Sequence, residues 1–244
     1  MDRILDFFKV DSAWEVVWAH GVNNTESLRS SLLSSEVQML EGDVYFDANG
    51  DIIMAHPPVI ESDLDFRTWF EKILTAQKGA KLDFKSPEAV IPCLEYIRSF
   101  SNVNIPVFLN QDVVDGPYNQ DLISSPMEFI SKCKAYLPDA VLSLGFAVDA
   151  PVPGKEEKFN DEMFKQMLDI ASQWEGHVTI CLCSTYLKES HDLIEKYLID
   201  TPYSFSLWNY EPVNYELAEW IKNHFDSKRT FYDFKTVDGG VHRI

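Results

Sequence analysis

The chain has 244 residues, of which 45% are hydrophobic and 25% charged, and its formal net charge is -18. This composition is typical of a folded protein with a large core. The negative charge repels phosphate groups, so we expect neither an extended nucleic-acid surface nor binding to anionic membranes. A small phosphorylated substrate stays compatible with it, since a bound cation reverses the local field.

The sequence favours a cytoplasmic protein. No stretch reaches the roughly 18 apolar residues of a membrane span. The first segment carries Asp2, Arg3, Asp6 and Lys9 among its apolar residues, which is not the pattern of a signal peptide. The four cysteines lack the spacing of a disulfide framework, as is typical of a reducing compartment. Nothing in the sequence sets the oligomeric state.

Apolar β-rich runs alternate with helical patterns along the whole chain. Eight strands are predicted, near residues 16–19, 39–46, 80–84, 106–109, 140–144, 178–182, 204–208 and 230–234. Seven helices are predicted between them, over residues 26–34, 64–76, 87–100, 126–136, 161–173, 187–197 and 215–225. Strict alternation with eight strands predicts an α/β protein, a (β/α)8 TIM barrel that occupies residues 1–244 as one domain.

The predicted pattern is incomplete at its end. Only residues 235–244 follow the last strand, so the last helix should be short or absent. We expect the amphipathic N-terminal segment with Ile4, Leu5, Phe7 and Phe8 to cover that gap.

Two connections stand out. Asn49 and Gly50 predict a hairpin that folds residues 52–55 back on the second strand and brings His56 towards the end of that strand. The stretch 111–125 is long for a loop between a strand and a helix, and it should lie on the catalytic face of the barrel.

Polar side chains recur at the ends of the first predicted strands. They are His20, Glu41, Asp43, His56, Asp83 and Lys85. Residues two apart on a strand share a face, and the C-terminal ends of parallel strands form the active site of a barrel. Glu41 and Asp43 therefore point together, with Asp83 on the next strand. Three carboxylates suit one hard divalent cation, Mg²⁺ or Ca²⁺.

A lone Glu-x-Asp pair has a simpler interpretation. Roughly 80% of such pairs would face outward and be solvated, because carboxylates are mostly exposed. Here the alternate residues Leu40, Gly42 and Val44 suit an outer face packed under helices. The pattern therefore favours Glu41 and Asp43 inside the barrel.

The two histidines suit acid/base catalysis. A single histidine at a strand end is more often structural, but His20 and His56 both lie beside the carboxylates. The imidazole pKa of about 6.5 matches proton transfer near neutral pH. Lys85 shares a face with Asp83 and is expected either to bind a phosphoryl oxygen or to form a salt bridge with Asp83. Lys81 lies deeper and should serve the barrel interior.

Later strands add further candidates. Asn110 and Asp112 end the fourth strand on one face and are predicted to contact either the substrate or the side chains that hold the metal. Trp208 ends the seventh strand and is predicted to form a wall of the pocket, although packing in the core is the more common role of Trp. Asp233 on the last strand has the weakest case.

At these residues the sequence resembles the menorin family, and through it the phospholipase C-like and glycerophosphodiester phosphodiesterase barrels. The matching segments are WAHGVNN, MLEGDV, IMAHPP, KLDFKS, FLNQDVVDGP and SLWNYE. The resemblance implies acid/base roles for His20 and His56. It implies metal ligation by Glu41, Asp43 and Asp83, and it places Lys85 on the lysine of the third-strand motif.

The sequence also departs from the phosphodiesterase pattern. The usual His-Arg-Gly reads His20-Gly21-Val22, and the usual His-Asp reads His56-Pro57. We therefore predict a metal-dependent phosphodiesterase with one divalent cation and a small phosphodiester substrate of open identity. A cyclic phosphate product is expected where a substrate hydroxyl lies next to the phosphate. The alternative is a catalytically silent barrel that binds a phosphorylated ligand or a protein partner.

Overall fold

A computed structural model describes residues 1–117, 122–148, 158–210 and 213–234. In this described part of the chain, nine strands form one sheet. They are β1 (Trp18–Ala19), β2 (Met39–Phe46), β3 (Ile52–Met54), β4 (Gly79–Phe84), β5 (Val107–Asp115), β6 (Val141–Ala147), β7 (Val178–Cys183), β8 (Ser204–Trp208) and β9 (Thr230–Tyr232). All pair in parallel with their neighbours except β3, which folds back antiparallel on β2.

The same residues form eight α-helices and two short 3₁₀ helices, which precede and connect the strands. The α-helices are α1 (Asp2–Phe8), α2 (Thr25–Leu33), α3 (Phe66–Ala76), α4 (Pro87–Arg98), α5 (Pro126–Tyr136), α6 (Asp161–Ala171), α7 (His191–Leu198) and α8 (Tyr215–His224), and the 3₁₀ helices span Ala13–Glu15 and Ser184–Tyr186. Side-chain caps from Asn24, Asp65, Asn160 and Asn214 begin four of the α-helices. Within the described residues, no helix is both long and apolar enough to cross a membrane.

The parallel strands follow each other in chain order from β1 to β9, with β3 outside that path. Eight parallel strands therefore form a nearly closed TIM-like barrel, and the predicted fold class is confirmed. Within the described residues no backbone ladder joins β1 to β9. Side chains bridge this seam instead, because the rings of Trp18 and Phe231 lie 5.7 Å apart between centroids.

The outer face of the sheet packs against the helices, as the alternation predicted. Leu40 and Val44 are fully buried in the main core with Trp69 and Phe70 of α3. Gly42 lies between them, where a β-carbon would come within 2.6 Å of Met54. The alternate residues of β2 consequently face the barrel interior.

Two expectations about the chain outside the strands need revision, and a third stays a prediction. The N-terminal helix α1 does not serve as a cover over the outside of the last strands: Ile4 packs with Trp18, Met39 and other interior residues at the N-terminal end of the barrel. The predicted loop from residue 111 is strand as far as Asp115, because β5 pairs with β6 over that length around a bulge. The predicted short or absent last helix concerns residues 235–244, which lie outside the described residues.

Candidate active site

The C-terminal ends of β2 and β4 bring three carboxylates together. In-register pairing sets Glu41 beside Lys81 and Asp43 beside Asp83, all on the inward face. One oxygen from each of Glu41, Asp43 and Asp83 lies within 4.8 Å of the others. A single divalent cation can reach all three, so the distance condition for the predicted metal ligands is met.

Glu41 is held in place by the segment that follows β1. Gly21 adopts a positive φ of 66°, a conformation that favours glycine, and its N–H donates to Oε2 of Glu41 at 2.6 Å. Burial raises the pKa of Glu41 to about 7, and the negative charges of Asp43 and Asp233 add to that rise. A cation at this position would favour the ionised carboxylate.

Lys85 lies between the other two carboxylates. Its Nζ donates to Oδ2 of Asp83 at 2.8 Å and lies 3.4 Å from Oδ1 of Asp43. Burial would lower the pKa of Lys85, but Asp83, Asp43 and Asp112 outweigh it and raise the pKa well above its ordinary value. The lysine therefore stays charged beside the carboxylates, available as a point charge for an anion.

The second oxygen of each of these aspartates bonds to an asparagine. Asn23 Nδ2 donates to Oδ2 of Asp43 at 2.6 Å, and Asn110 Nδ2 donates to Oδ1 of Asp83 at 2.8 Å. Asn110 is itself held from below, because its Oδ1 accepts from Ser143 Oγ at 2.6 Å. Both carboxylates are consequently oriented before any ligand binds.

His20 takes part in a network of polar contacts across the seam of the barrel. Its Nδ1 lies 2.9 Å from Oδ1 of Asp233 and 3.7 Å from Oε2 of Glu41. Lys81 Nζ donates to the other oxygen of Asp233 at 2.7 Å. Burial alone would raise the pKa of Asp233, but Lys81 and His20 hold it at about 2.

The Asp233 contact sets the tautomer of His20. A carboxylate ionised at neutral pH only accepts hydrogen bonds, so Nδ1 of His20 must be the donor. A neutral His20 then presents Nε2 as its basic nitrogen. The ranking of Asp233 as the weakest candidate was therefore wrong: it is fully buried and is a direct partner of both His20 and Lys81.

His56 lies at the rim rather than inside the barrel. The residue is exposed, and its Nδ1 lies 2.6 Å from the carbonyl oxygen of Pro57, which only accepts. Nδ1 is therefore the donor here too, and Nε2 is the basic nitrogen. Its charge helps to lower the pKa of Asp43: burial would raise that pKa, but Lys85, His56 and the Asn23 hydrogen bond lower it.

The remaining predicted residues are Asp112 and Trp208. Asp112 is half-buried opposite Gly145 on β6, where a β-carbon would come within 2.1 Å of its Oδ1. Burial raises the pKa of Asp112 to about 7, with Asp83 adding to the rise and Lys85 opposing it. Trp208 is half-buried and packs edge-on against Tyr210, with ring centroids 4.8 Å apart.

Three residues of the site were missed or undervalued by the sequence interpretation. Lys81 was assigned to the interior, as observed, but not to a pair with Asp233. Asn23 was not considered as a partner of Asp43. The signal for Asp233 was its spacing of two from the apolar Phe231, which puts both on the inward face of the last strand.

The fold and site together define the class of protein: a TIM-like barrel with a carboxylate, histidine and lysine cluster at the C-terminal ends of its strands. Within that class, the model of the family described as "Menorin N-terminal domain" matches residues 12–237. The chain therefore belongs to the Menorin N-terminal domain family. Protein FAM151B of Homo sapiens is 27% identical over 246 residues, which cover 95% of this chain and 89% of that protein.

Two solved structures show a weaker similarity. Guanine deaminase from C. acetobutylicum aligns at a TM-score of 0.37 with 11% sequence identity. The alignment covers 65% of this chain and 41% of the deaminase chain. PLC21 of S. officinalis aligns at a TM-score of 0.38 with 13% identity over 86% of this chain and 32% of its own. This chain thus spans less than half of either structure, and similarity at this level carries no argument about function.

Proposed function

We propose that this protein is a metal-dependent phosphodiesterase. The observation that carries the proposal is that three carboxylates close enough to share a cation lie beside His20, whose Nδ1 is anchored by Asp233, while His56 at the rim interacts electrostatically with Asp43. The donor set is all oxygen, which suits Mg²⁺ or Ca²⁺. The raised pKa of Glu41 supports the same assignment. Burial is its main cause and the charges of Asp43 and Asp233 add to it, and a bound cation would offset both effects.

Glu41, Asp43 and Asp83 would hold the cation. When bound, it would neutralise phosphoryl oxygens and stabilise the charge that develops on them. Lys85 supplies a second positive charge beside the same carboxylates and can bind another phosphoryl oxygen. Together these groups offset the acidity of the chain at the one place where an anionic substrate must bind.

The histidines supply proton transfer. One removes the proton from the attacking oxygen through Nε2, and the other delivers a proton to the leaving alkoxide. At His20, the imidazolium that forms is stabilised by Asp233, which Lys81 holds ionised. A substrate hydroxyl next to the phosphate would attack to form a cyclic phosphate, and water attacks otherwise.

The test is a panel of phosphodiesters, including bis(p-nitrophenyl) phosphate, assayed with Mg²⁺, with Ca²⁺ and with EDTA. We expect EDTA to abolish turnover, and His20→Ala and His56→Ala each to lower it by about a hundredfold or more. His224→Ala is the matched control, because this exposed histidine at the end of α8 packs against Trp220 of its own helix and His191, away from the carboxylates.

Two results would overturn the assignment. Full turnover by both histidine variants would remove the acid/base mechanism. A wild-type protein that binds phosphodiesters without cleaving any of them would support the alternative function, a barrel that binds a phosphorylated ligand.

A further inference from the structure

Asn23 makes two hydrogen bonds to the same residue. Its Nδ2 donates to Oδ2 of Asp43 at 2.6 Å, and its Oδ1 accepts from the backbone N–H of Asp43 at 2.8 Å. Asp43 presents an acceptor and a donor side by side, and a carboxamide offers the matching donor and acceptor without a charge. This pairing holds the carboxylate in one orientation relative to its strand.

The backbone of Asn23 makes a separate connection. Its carbonyl oxygen accepts from Ser62 Oγ at 2.7 Å, and the same hydroxyl accepts from the N–H of Leu64 at 3.0 Å. Nearby, the N–H of Thr25 donates to Oδ1 of Asp63 at 2.9 Å. The segment that follows β1 is thus joined to the segment that follows β3.

These two segments carry the two histidines. His20 lies at the start of the first, and His56 lies at the start of the second. Asn23 contacts both the second segment and Asp43, so one residue links a carboxylate of the cluster to the loop that bears His56. The side chain of Asn23 makes the contact with the carboxylate of Asp43, and its backbone carbonyl makes the contact with Ser62.

We propose that Asn23 is a positioning residue that orients Asp43 for the cation and fixes the His56 segment relative to it. The proposal rests on the function proposed above for the cation, but its second half concerns the loop alone. The neighbouring Asn24 has a different role, because its Oδ1 accepts from the N–H of Ser27 and caps α2. The adjacent asparagines therefore provide a variant and its matched control.

The first measurement is a calorimetric titration of the full chain with Mg²⁺. We expect Asn23→Ala to bind about 10–100-fold more weakly than wild type, the usual effect of removing a residue that orients a metal ligand. Asn24→Ala should melt at a lower temperature, since α2 loses its cap, and bind Mg²⁺ with wild-type affinity. A general loss of stability would lower the melting temperature in both variants without separating their affinities.

The second measurement is amide hydrogen exchange over residues 56–64 in metal-free protein. We expect Ser62→Ala to exchange faster there, by roughly tenfold, because it loses the hydrogen bond to the carbonyl of Asn23. Asn23→Ala keeps that carbonyl but loses both bonds that anchor it to Asp43, so we expect faster exchange in this variant as well. Ser62→Ala should keep wild-type Mg²⁺ affinity, because its hydroxyl bonds to the carbonyl of Asn23 and the N–H of Leu64 and to none of the three carboxylates among the described residues. Asn24→Ala should leave this exchange unchanged.

The outcomes separate the two proposals. Wild-type Mg²⁺ affinity in a folded Asn23→Ala protein would overturn the positioning role. A wild-type chain that binds neither Mg²⁺ nor Ca²⁺ would overturn the proposed function, while faster exchange in Asn23→Ala would still support the link to the His56 segment. If Asn23→Ala does not fold, Ser62→Ala decides: unchanged exchange over residues 56–64 would overturn the link.

Discussion

The two ends of the barrel interior are built from opposite kinds of side chain. At the N-terminal end, Trp18, Phe108 and Phe231 pack edge-on around one another, with ring centroids 5.6–5.7 Å apart, and α1 covers them. At the C-terminal end, two residues further along the same strands, the interior holds ionised and amide groups. On each strand the change takes place between two successive inward-facing residues, which are about 7 Å apart along the strand.

The same strands contribute to both ends. On five strands an inward-facing apolar residue is followed, two positions later, by an inward-facing polar one. These pairs are Trp18 and His20, Met39 and Glu41, Phe108 and Asn110, Val141 and Ser143, and Phe231 and Asp233. The apolar end buries area without any polar requirement, and it stabilises the barrel. The polar end gathers like charges that repel, which is how a binding site differs from a core.

The largest expected effect lies at the apolar end. Phe108 is fully buried between Trp18 and Phe231, so Phe108→Ala leaves a cavity that no neighbour fills. We expect a loss of about 3–5 kcal/mol in the free energy of unfolding. Urea denaturation measures it, and Mg²⁺ affinity of the folded fraction should equal that of wild type. A metal affinity that falls with stability would show that the two ends are not independent.

A pH dependence is expected from the same end. His177 precedes β7, and burial lowers its pKa to about 4. Its unfolded pKa is near 6.5, so the unfolded chain takes up the proton first as pH falls. The contribution of His177 to the free energy of unfolding is therefore fully present above pH 6.5. It declines as the pH falls towards 4, by roughly 2–3 kcal/mol.

His177→Gln isolates that contribution. The difference in unfolding free energy between wild type and variant should change steadily between pH 6.5 and pH 4 and be constant above pH 7. A difference that does not depend on pH would show that His177 has the same degree of protonation in the folded and unfolded states.

At the polar end the expected effect is on binding. Glu41→Gln removes one of three carboxylates, and we expect Mg²⁺ to bind at least about tenfold more weakly while the fold stays intact. Glu175→Gln is the matched control, because it makes the same change on a side chain that is 88% exposed. Equal Mg²⁺ affinity in both variants would remove Glu41 from the metal site.

The smallest expected effect comes from Gly145. In Gly145→Ala the new β-carbon collides with Oδ1 of Asp112, the free end of a side chain that can rotate away. We expect a loss of less than about 1.5 kcal/mol of stability and a severalfold rise in KM for bis(p-nitrophenyl) phosphate, since Asp112 moves relative to Lys85. An unchanged KM would exclude Asp112 from the substrate pocket.

The polar residues early in the chain were predictable because local rules place them. Alternation along β2 and β4 puts Glu41, Asp43 and Asp83 on one face, and strand order puts them at one end. The inward step of two would also have placed Asp233 above Phe231. Its importance depends on its contacts with Lys81 and His20, however. These residues are far from Asp233 in the sequence, and contacts between distant residues do not follow from local spacing.

Other features depend on geometry that spacing cannot express. The bulge in β5 changes which side of the strand faces inward after Asp112, so the strand extends where a loop was predicted. Asn23 lies in a turn, and its pairing with Asp43 follows from the conformation of Gly21 and the short β1 rather than from any periodicity.

The contact between His20 and Asp233 also has a consequence for how the protein is made. Its two residues are 213 positions apart in the chain. On the ribosome the N-terminal part of a chain emerges first, so the three clustered carboxylates leave the exit tunnel long before Asp233. Until then the emerging chain has Lys81 without its buried partner and His20 without the group that sets its tautomer. Assembly of the His20–Asp233 contact must therefore wait until the last strand of the barrel has emerged, which ties the arrangement of this cluster to closure of the barrel.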